Sequence, residues 1–172
     1  MNAAPSDADL YALAERLGEA LCARGLTLAT AESCTGGWAA MAATSVPGSS
    51  RWFERGFVAY SNTAKEEMLG VDAAILAAHG AVSEPAVHAM ARGALDRSHA
   101  GASLAISGVA GPGGGSAAKP VGLVCLAFAL RDGTSCARSV HLDGSRAQIR
   151  RAAVAFAFEG LIEVVSAAPV RS

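Results

Sequence analysis

The chain carries 14 basic side chains, of which only Lys65 and Lys119 are lysines. A buried lysine can lose its proton near neutral pH and act as a base, which a guanidinium cannot do. Lys65 follows an apolar run that ends in Tyr60, and Lys119 closes a glycine-rich segment. Drift between lysine and arginine at surface positions is the plainer account of either one. A second group of reactive types is Glu32-Ser33-Cys34-Thr35-Gly36-Gly37, which puts two hydroxyls and a thiol between a strand end and a helix start. Unpaired amides at such a start can hold an anion or a developing oxyanion. Ser33 and Cys34 compete there as nucleophile, and simple helix capping by Ser33 or Thr35 is the alternative. The segment is not G-x-S-x-G, and no His or Asp pattern around it resembles a hydrolase elbow.

Ser107-Gly108 opens a loop in which Gly111, Gly114 and Gly115 would let backbone amides approach a phosphate. It is not a P-loop, since Lys119 is followed by Pro120, and no helix follows as a dinucleotide fingerprint requires. A flexible surface loop is the competing account. Arg146, Arg150 and Arg151 fall in the first two turns of the final helix, where the macrodipole disfavours cations. Arg146 and Arg150 share a face and could bracket a phosphate; solvated arginines paired with Asp143 or glutamates would look the same. Cys22, Cys34, Cys125 and Cys136 form no C-x-x-C pair, and His79, His88, His99 and His141 are scattered. Free thiols, no protein-held metal and no cofactor are expected.

These groups need elements to position them. Ser6-Asp7-Ala8-Asp9 fits a capping box for a helix from Asp7 to Arg24, stopped by Gly25. Leu26 to Ala31 reads as a strand, followed by the turn and an Ala-rich helix ending near Thr44. Gly56 to Tyr60 is the next strand, with Asn62 as N-cap of a helix closed by Gly70. Helices follow from Asp72 to Ala78 and after Ser83-Glu84-Pro85. Ala102 to Ser107 and Val121 to Leu130 are strands; the second is apolar on both alternations, as for a strand covered on both faces. Asp132-Gly133 turns it into an antiparallel partner near Cys136 to Leu142, and a helix spans Ser145 to Ser166. The fold class expected is α/β, a single layered domain with a mixed sheet flanked by helices. It occupies residues 1–172, with short flexible ends near 1–6 and 167–172.

Composition narrows the function classes. Among 172 residues, 52% are hydrophobic, but 40 are alanine, so the apolar content lacks the bulk of a membrane span. Net charge is -1, with no run of like charges, which disfavours nucleic acid and anionic lipid as partners. The first ten residues do not read as a secretory signal, and a cytoplasmic address is expected.

Thr30-Ala31-Glu32-Ser33-Cys34-Thr35-Gly36-Gly37, Pro47-Gly48-Ser49-Ser50, Gly56 to Asn62, Gly80-Ala81-Val82-Ser83-Glu84, Ser107 to Pro112 and Lys119-Pro120-Val121-Gly122 together resemble the CinA C-terminal domain, or PncC, family of nicotinamide-nucleotide amidases. The similarity runs from about Leu10 to about Ile162. The resemblance implies hydrolysis of nicotinamide mononucleotide to nicotinate mononucleotide and ammonia in pyridine-nucleotide salvage, without a metal. Ser33 falls on the family's nucleophile, and Tyr60 and Lys65 on its assisting residues. Gly113 and Ser145 depart from the family pattern, each standing where Asp is expected.

The expected mechanism is a Ser-Lys amidase in which neutral Lys65, helped by Tyr60, takes the proton of Ser33. Amides near Thr35, Gly36 and Gly37 would hold the oxyanion. The Ser107 to Ser116 segment, with Arg146 and Arg150, would hold ribose and phosphate, and Glu32 would face the pyridinium. The expected partner is the small-molecule substrate, with a homo-oligomer possible. Rival readings are a non-catalytic nucleotide-binding module, a competence-associated interaction protein, and an amidase for another small amide.

Overall fold

A computed structural model describes residues 4–167. The outer parts of the ends expected to be flexible, residues 1–3 and 168–172, lie outside the described residues. Helix α1 (Asp7–Ala23) starts with the expected capping box: Ser6 Oγ accepts from the amide of Asp9, and Asp9 Oδ2 accepts from the amide of Ser6. The order then runs β1 (Leu28–Glu32), α2 (Trp38–Thr44), β2 (Phe53–Val58), α3 (Asn62–Leu69), α4 (Ala73–His79), α5 (Glu84–Asp96), β3 (Ala102–Gly108), β4 (Leu123–Leu130), β5 (Ser135–His141) and α6 (Arg146–Ala167). A single 3-10 turn at Ser49–Arg51 precedes β2.

The five strands form one mixed sheet in the order β2-β1-β3-β4-β5. Parallel pairing joins β2 to β1 and β1 to β3, and antiparallel pairing joins β3 to β4 and β4 to β5. One face carries α1, α2 and α6 over Leu28, Leu104, Ile106, Leu126 and Phe128. The other face carries α3, α4 and α5 over Ala29, Ala31, Ala105, Cys125 and Ala127. β4 is covered on both faces, as its unbroken apolar run implies.

Element ends differ from expectation for local reasons. The α3 cap is Ser61, whose Oγ accepts from the amide of Ala64, rather than Asn62. β2 starts earlier, at Phe53, because its parallel ladder with β1 begins at the Leu28–Phe53 pair. β1 runs on through Glu32, which is fully buried. Ser145 accepts from the amide of Gln148, and Gln148 Oε1 accepts from the amide of Ser145. This reciprocal cap stands in for the carboxylate that the family pattern would place at Ser145.

Helix α3, which carries Lys65, reaches the sheet because α5 has a glycine where the two meet. A Cβ on Gly93 would lie 1.9 Å from the carbonyl oxygen of Leu69. Gly93→Ala is therefore expected to destabilise the protein by about 1–3 kcal/mol, despite its gain in helix propensity of about 1 kcal/mol. Denaturant midpoints of the two proteins test this; an unchanged or raised midpoint contradicts the close approach.

Candidate active site

The three parallel strands end together, and the reactive residues lie at their carboxyl ends. Beyond β1, the Ser33 amide donates to Ile106 of β3 at 2.9 Å, and the Ala59 amide donates to Glu32 at 2.9 Å. Ser33 thus sits between the ends of β2 and β3, which flank β1. The chain leaves β1 for α2 on one face and neighbouring β2 for α3 on the other, the place where open α/β sheets build their sites.

Lys65 is only 1% exposed. Its Nζ lies 3.1 Å from Ser33 Oγ, 3.1 Å from the carbonyl of Ala59 and 3.2 Å from the carbonyl of Tyr60. Burial pushes its pKa below the ordinary lysine value by penalising the charged form. Carbonyl oxygens can only accept, so the two N–H groups of a neutral amine are spent on Ala59 and Tyr60. In that neutral form the remaining lone pair would face the Ser33 hydroxyl as donor, whereas the charged amine donates to Ser33 Oγ as its third contact.

The rival nucleophile points the other way. Cys34 lies within the core cluster under α1, α2 and α6, and burial pushes its thiol up to about 12, with the nearby Glu32 charge adding to the effect. A thiol held protonated is a poor nucleophile at neutral pH.

Glu32, expected to face the pyridinium, is fully buried against backbone amides. It lies on the strand face that also carries Leu28 and Thr30, beneath α2. Its Oε2 accepts from the amides of Gly37 at 3.1 Å and Ala39 at 3.0 Å, and its Oε1 from Ala40 at 2.9 Å. The amide of Gly36 donates to Ser33 O at 3.0 Å. Of the three amides expected to hold an oxyanion, those of Gly36 and Gly37 are thus already taken, and that of Thr35 has no protein acceptor among the described residues. The Thr35 hydroxyl is buried without a hydrogen-bond partner.

Tyr60 also differs from its expected part. Its phenol is exposed and accepts from Arg146 Nη2 at 3.1 Å, so only its carbonyl reaches Lys65. Arg146 Nη1 donates to Gly111 O at 2.8 Å, which ties the start of α6 to the glycine-rich loop. The two arginines expected to share one anion are spent on different partners: Arg150 Nε and Nη2 donate to the carbonyls of Cys34 and Thr35. Arg151 pairs with Asp7 at 2.9 Å.

Within the loop, Ser107 is buried and its Oγ donates to Ala81 O at 2.8 Å. Gly108 packs too closely for a side chain, since a Cβ there would lie 2.8 Å from Leu123 O. Gly113 and Gly114 stand in open space, and a Cβ on Gly115 would press on Val121. Lys119 Nζ donates to the carbonyl of His79, fastening the loop's end to α4. The carbonyls of Ala59, Tyr60 and Ala81 carry no side-chain signature, so residue types alone could not reveal them. Among the described residues, no three His, Cys, Asp or Glu side chains group as a metal site, and no helix is long and apolar enough to cross a membrane.

The profile of the CinA C-terminal domain matches residues 10–165. The chain belongs to that family. It is 53% identical over 156 residues to the Escherichia coli K12 protein named nicotinamide-nucleotide amidohydrolase PncC, covering 91% of this chain and 94% of that one. It is 51% identical over 142 residues to a CinA-like protein of Mycolicibacterium gilvum, covering 83% of this chain but 34% of the longer relative. The crystal structure of competence/damage inducible protein CihA from Agrobacterium tumefaciens superposes with a TM-score of 0.88 at 47% identity, covering 95% of this chain and 99% of that one. Family membership at this level accounts for the mixed open sheet and the order of the motifs along it.

Burial of Lys65 gives a test that needs no substrate. The unfolded chain keeps the Lys65 proton up to about pH 10.4, whereas the folded chain releases it at lower pH. Between those limits the unfolded state binds more protons, so stability rises with pH and is lost as pH falls. Relative to Lys65→Met, the unmodified protein should therefore gain stability as pH is raised from 7 toward 10. Parallel pH profiles of the denaturant midpoints would show that the amine pays no burial penalty.

Proposed function

We propose that this protein hydrolyses the carboxamide of nicotinamide mononucleotide, releasing ammonia and nicotinate mononucleotide, with Ser33 as nucleophile and Lys65 as base. The observation that carries the reading is the 3.1 Å contact between Lys65 Nζ and Ser33 Oγ, with the amine's other contacts made to carbonyls. The name of the PncC relative, 53% identical over nearly the whole of both chains, supports the substrate.

In the first half-reaction, Lys65 takes the hydroxyl proton as Ser33 Oγ bonds to the amide carbon. The resulting ammonium returns that proton to the departing nitrogen as the C–N bond breaks, giving ammonia and an acyl-serine. In the second half-reaction, water attacks the ester carbon and gives a proton to Lys65. The C–Oγ bond then breaks, and Ser33 recovers its proton. Tyr60 contributes its carbonyl to the amine and its phenol to Arg146. The glycine-rich loop, with Gly108 and Gly111 nearest the strand ends and Gly114 and Gly115 further out, forms the ribose and phosphate side with Arg146. A cytoplasmic setting, where pyridine nucleotides are salvaged, belongs to the same proposal, and the four free cysteines agree with it.

Ammonia release from nicotinamide mononucleotide, nicotinamide and nicotinamide riboside tests the reading, with the nucleotide expected to be the preferred substrate. Ser33→Ala should lower turnover by about a million-fold, as for other serine nucleophiles. Cys34→Ala should retain most activity. Lys65→Arg should lose most of it, because a guanidinium stays protonated. An active Ser33→Ala protein with an inactive Cys34→Ala protein would replace the serine mechanism with a thiol one.

Arg146→Ala is expected to raise KM for the mononucleotide about ten-fold to a hundred-fold, the loss of one charge-assisted contact of about 1.5–3 kcal/mol. Riboside, which has no phosphate, should be cleaved by this variant as well as by the unmodified protein. Equal impairment on both substrates would remove Arg146 from the phosphate site.

A further inference from the structure

The guanidinium of Arg150 reaches back from α6 to the turn that carries Ser33. Its Nε donates to Cys34 O at 3.0 Å and its Nη2 to Thr35 O at 2.8 Å, and it lies over the Trp38 ring at 5.2 Å. A Cβ on Gly36 would fall 3.3 Å from Nη2, so the cation is packed closely against the backbone. Gly36 has a φ of +61°, a conformation that favours glycine at this point of contact.

The peptide bond between Cys34 and Thr35 is trans, so its C=O and N–H point in opposite directions. Fixing the Cys34 carbonyl on Arg150 therefore fixes the Thr35 N–H on the side away from the cation. The next unit is arranged alike: Arg150 holds Thr35 O, and the Gly36 N–H donates to Ser33 O at 3.0 Å. With Gly37 taken by Glu32 and Gly36 by Ser33, the amides of Cys34 and Thr35 are the donors of the turn without a protein oxygen as acceptor among the described residues, and the Thr35 amide is the one on the peptide unit that Arg150 holds. A cation bound to a carbonyl also polarises its peptide unit and strengthens the N–H at the other end.

We propose that Arg150 is a positioning residue for the hydrolysis: it orients and polarises the Cys34–Thr35 peptide so that the Thr35 N–H stabilises the oxyanion formed when Ser33 attacks. This role rests on the amidase reading and goes beyond it, since it moves Arg150 from the phosphate to the reacting carbonyl. Both arginines near the start of α6 then serve the site by different routes. Arg146 acts on the far end of the substrate, and Arg150 acts through the backbone.

The test compares Arg150→Met, which keeps the stem over Trp38, and Arg150→Lys with the unmodified protein. Three measurements are made: ammonia release from mononucleotide and from riboside, the rate of Ser33 labelling by a fluorophosphonate, and thermal unfolding. Deleting a whole oxyanion donor costs about a hundred-fold to a thousand-fold in kcat. Loss of the positioning alone is expected to lower kcat by about ten-fold to a hundred-fold on both substrates, with little change in KM. Labelling should slow by a similar factor, because a phosphonate oxygen uses the same donor, and Arg150→Lys should recover part of the rate. A rise in KM for mononucleotide alone, with riboside cleavage and labelling unchanged, would overturn the proposal and make Arg150 a phosphate ligand. Losses that only follow the unfolded fraction would overturn it as well. If the unmodified protein releases no ammonia from the mononucleotide, the amidase reading fails, and the labelling rates still decide the role of Arg150.

Discussion

Burying the Lys65 amine against the carbonyls of Ala59 and Tyr60 is costly unless every N–H stays paired and the charge is given up. Both conditions constrain the surrounding fold. The carbonyls must come from the chain just past β2, so β2 has to lie beside β1 with its end level with Glu32. The amine must also reach Ser33, which it does because α3 begins directly after that strand, capped by Ser61 and stopped at Gly70. Small residues in α5 then let α3 settle close enough for a lysine to reach. The lowering of the Lys65 pKa is thus a product of the packing and not of a charged partner residue.

The turn that carries Ser33 is held by charges of opposite sign on its opposite kinds of backbone group. Glu32 takes amides at the start of α2, where the helix dipole favours an anion. Arg150 takes carbonyls from a position near the start of α6, where the dipole disfavours a cation. The second arrangement is still favourable, because a cation near a helix start costs about 0.3–1 kcal/mol while each charge-assisted bond contributes about 1.5–3 kcal/mol. Arg146 meets the same terms by donating to Gly111 and Tyr60.

Strand and helix order was legible because the apolar periodicities and caps are local signals. Ser6 and Ser83 cap the helices expected of them, and the doubly apolar β4 is an interior strand covered on both faces. The pairing of Ser33 with Lys65 was legible only through family resemblance and the scarcity of lysine, since 32 positions separate them. The parts of Glu32, Tyr60 and Arg150 were not legible. Their side-chain types suit ligand contact and backbone contact equally, and the choice between them is made by which carbonyl or amide the tertiary fold leaves within reach. Glu32 is the clearest case: a carboxylate at a strand end reads as a ligand contact until the partner helix is laid over it.

The carbonyl of Thr35 and the guanidinium that holds it are 115 positions apart. A ribosome therefore delivers the serine early and its restraint late. Ser33, the strand it follows and Lys65 can all be outside the exit tunnel while β4, β5 and α6 have yet to be made. Until α6 emerges and docks, the carbonyls of the turn lack their cation, and β3 lacks the part of its cover that α6 supplies. A nascent chain interrupted before Arg150 would carry the serine and the lysine without the contacts that set the turn.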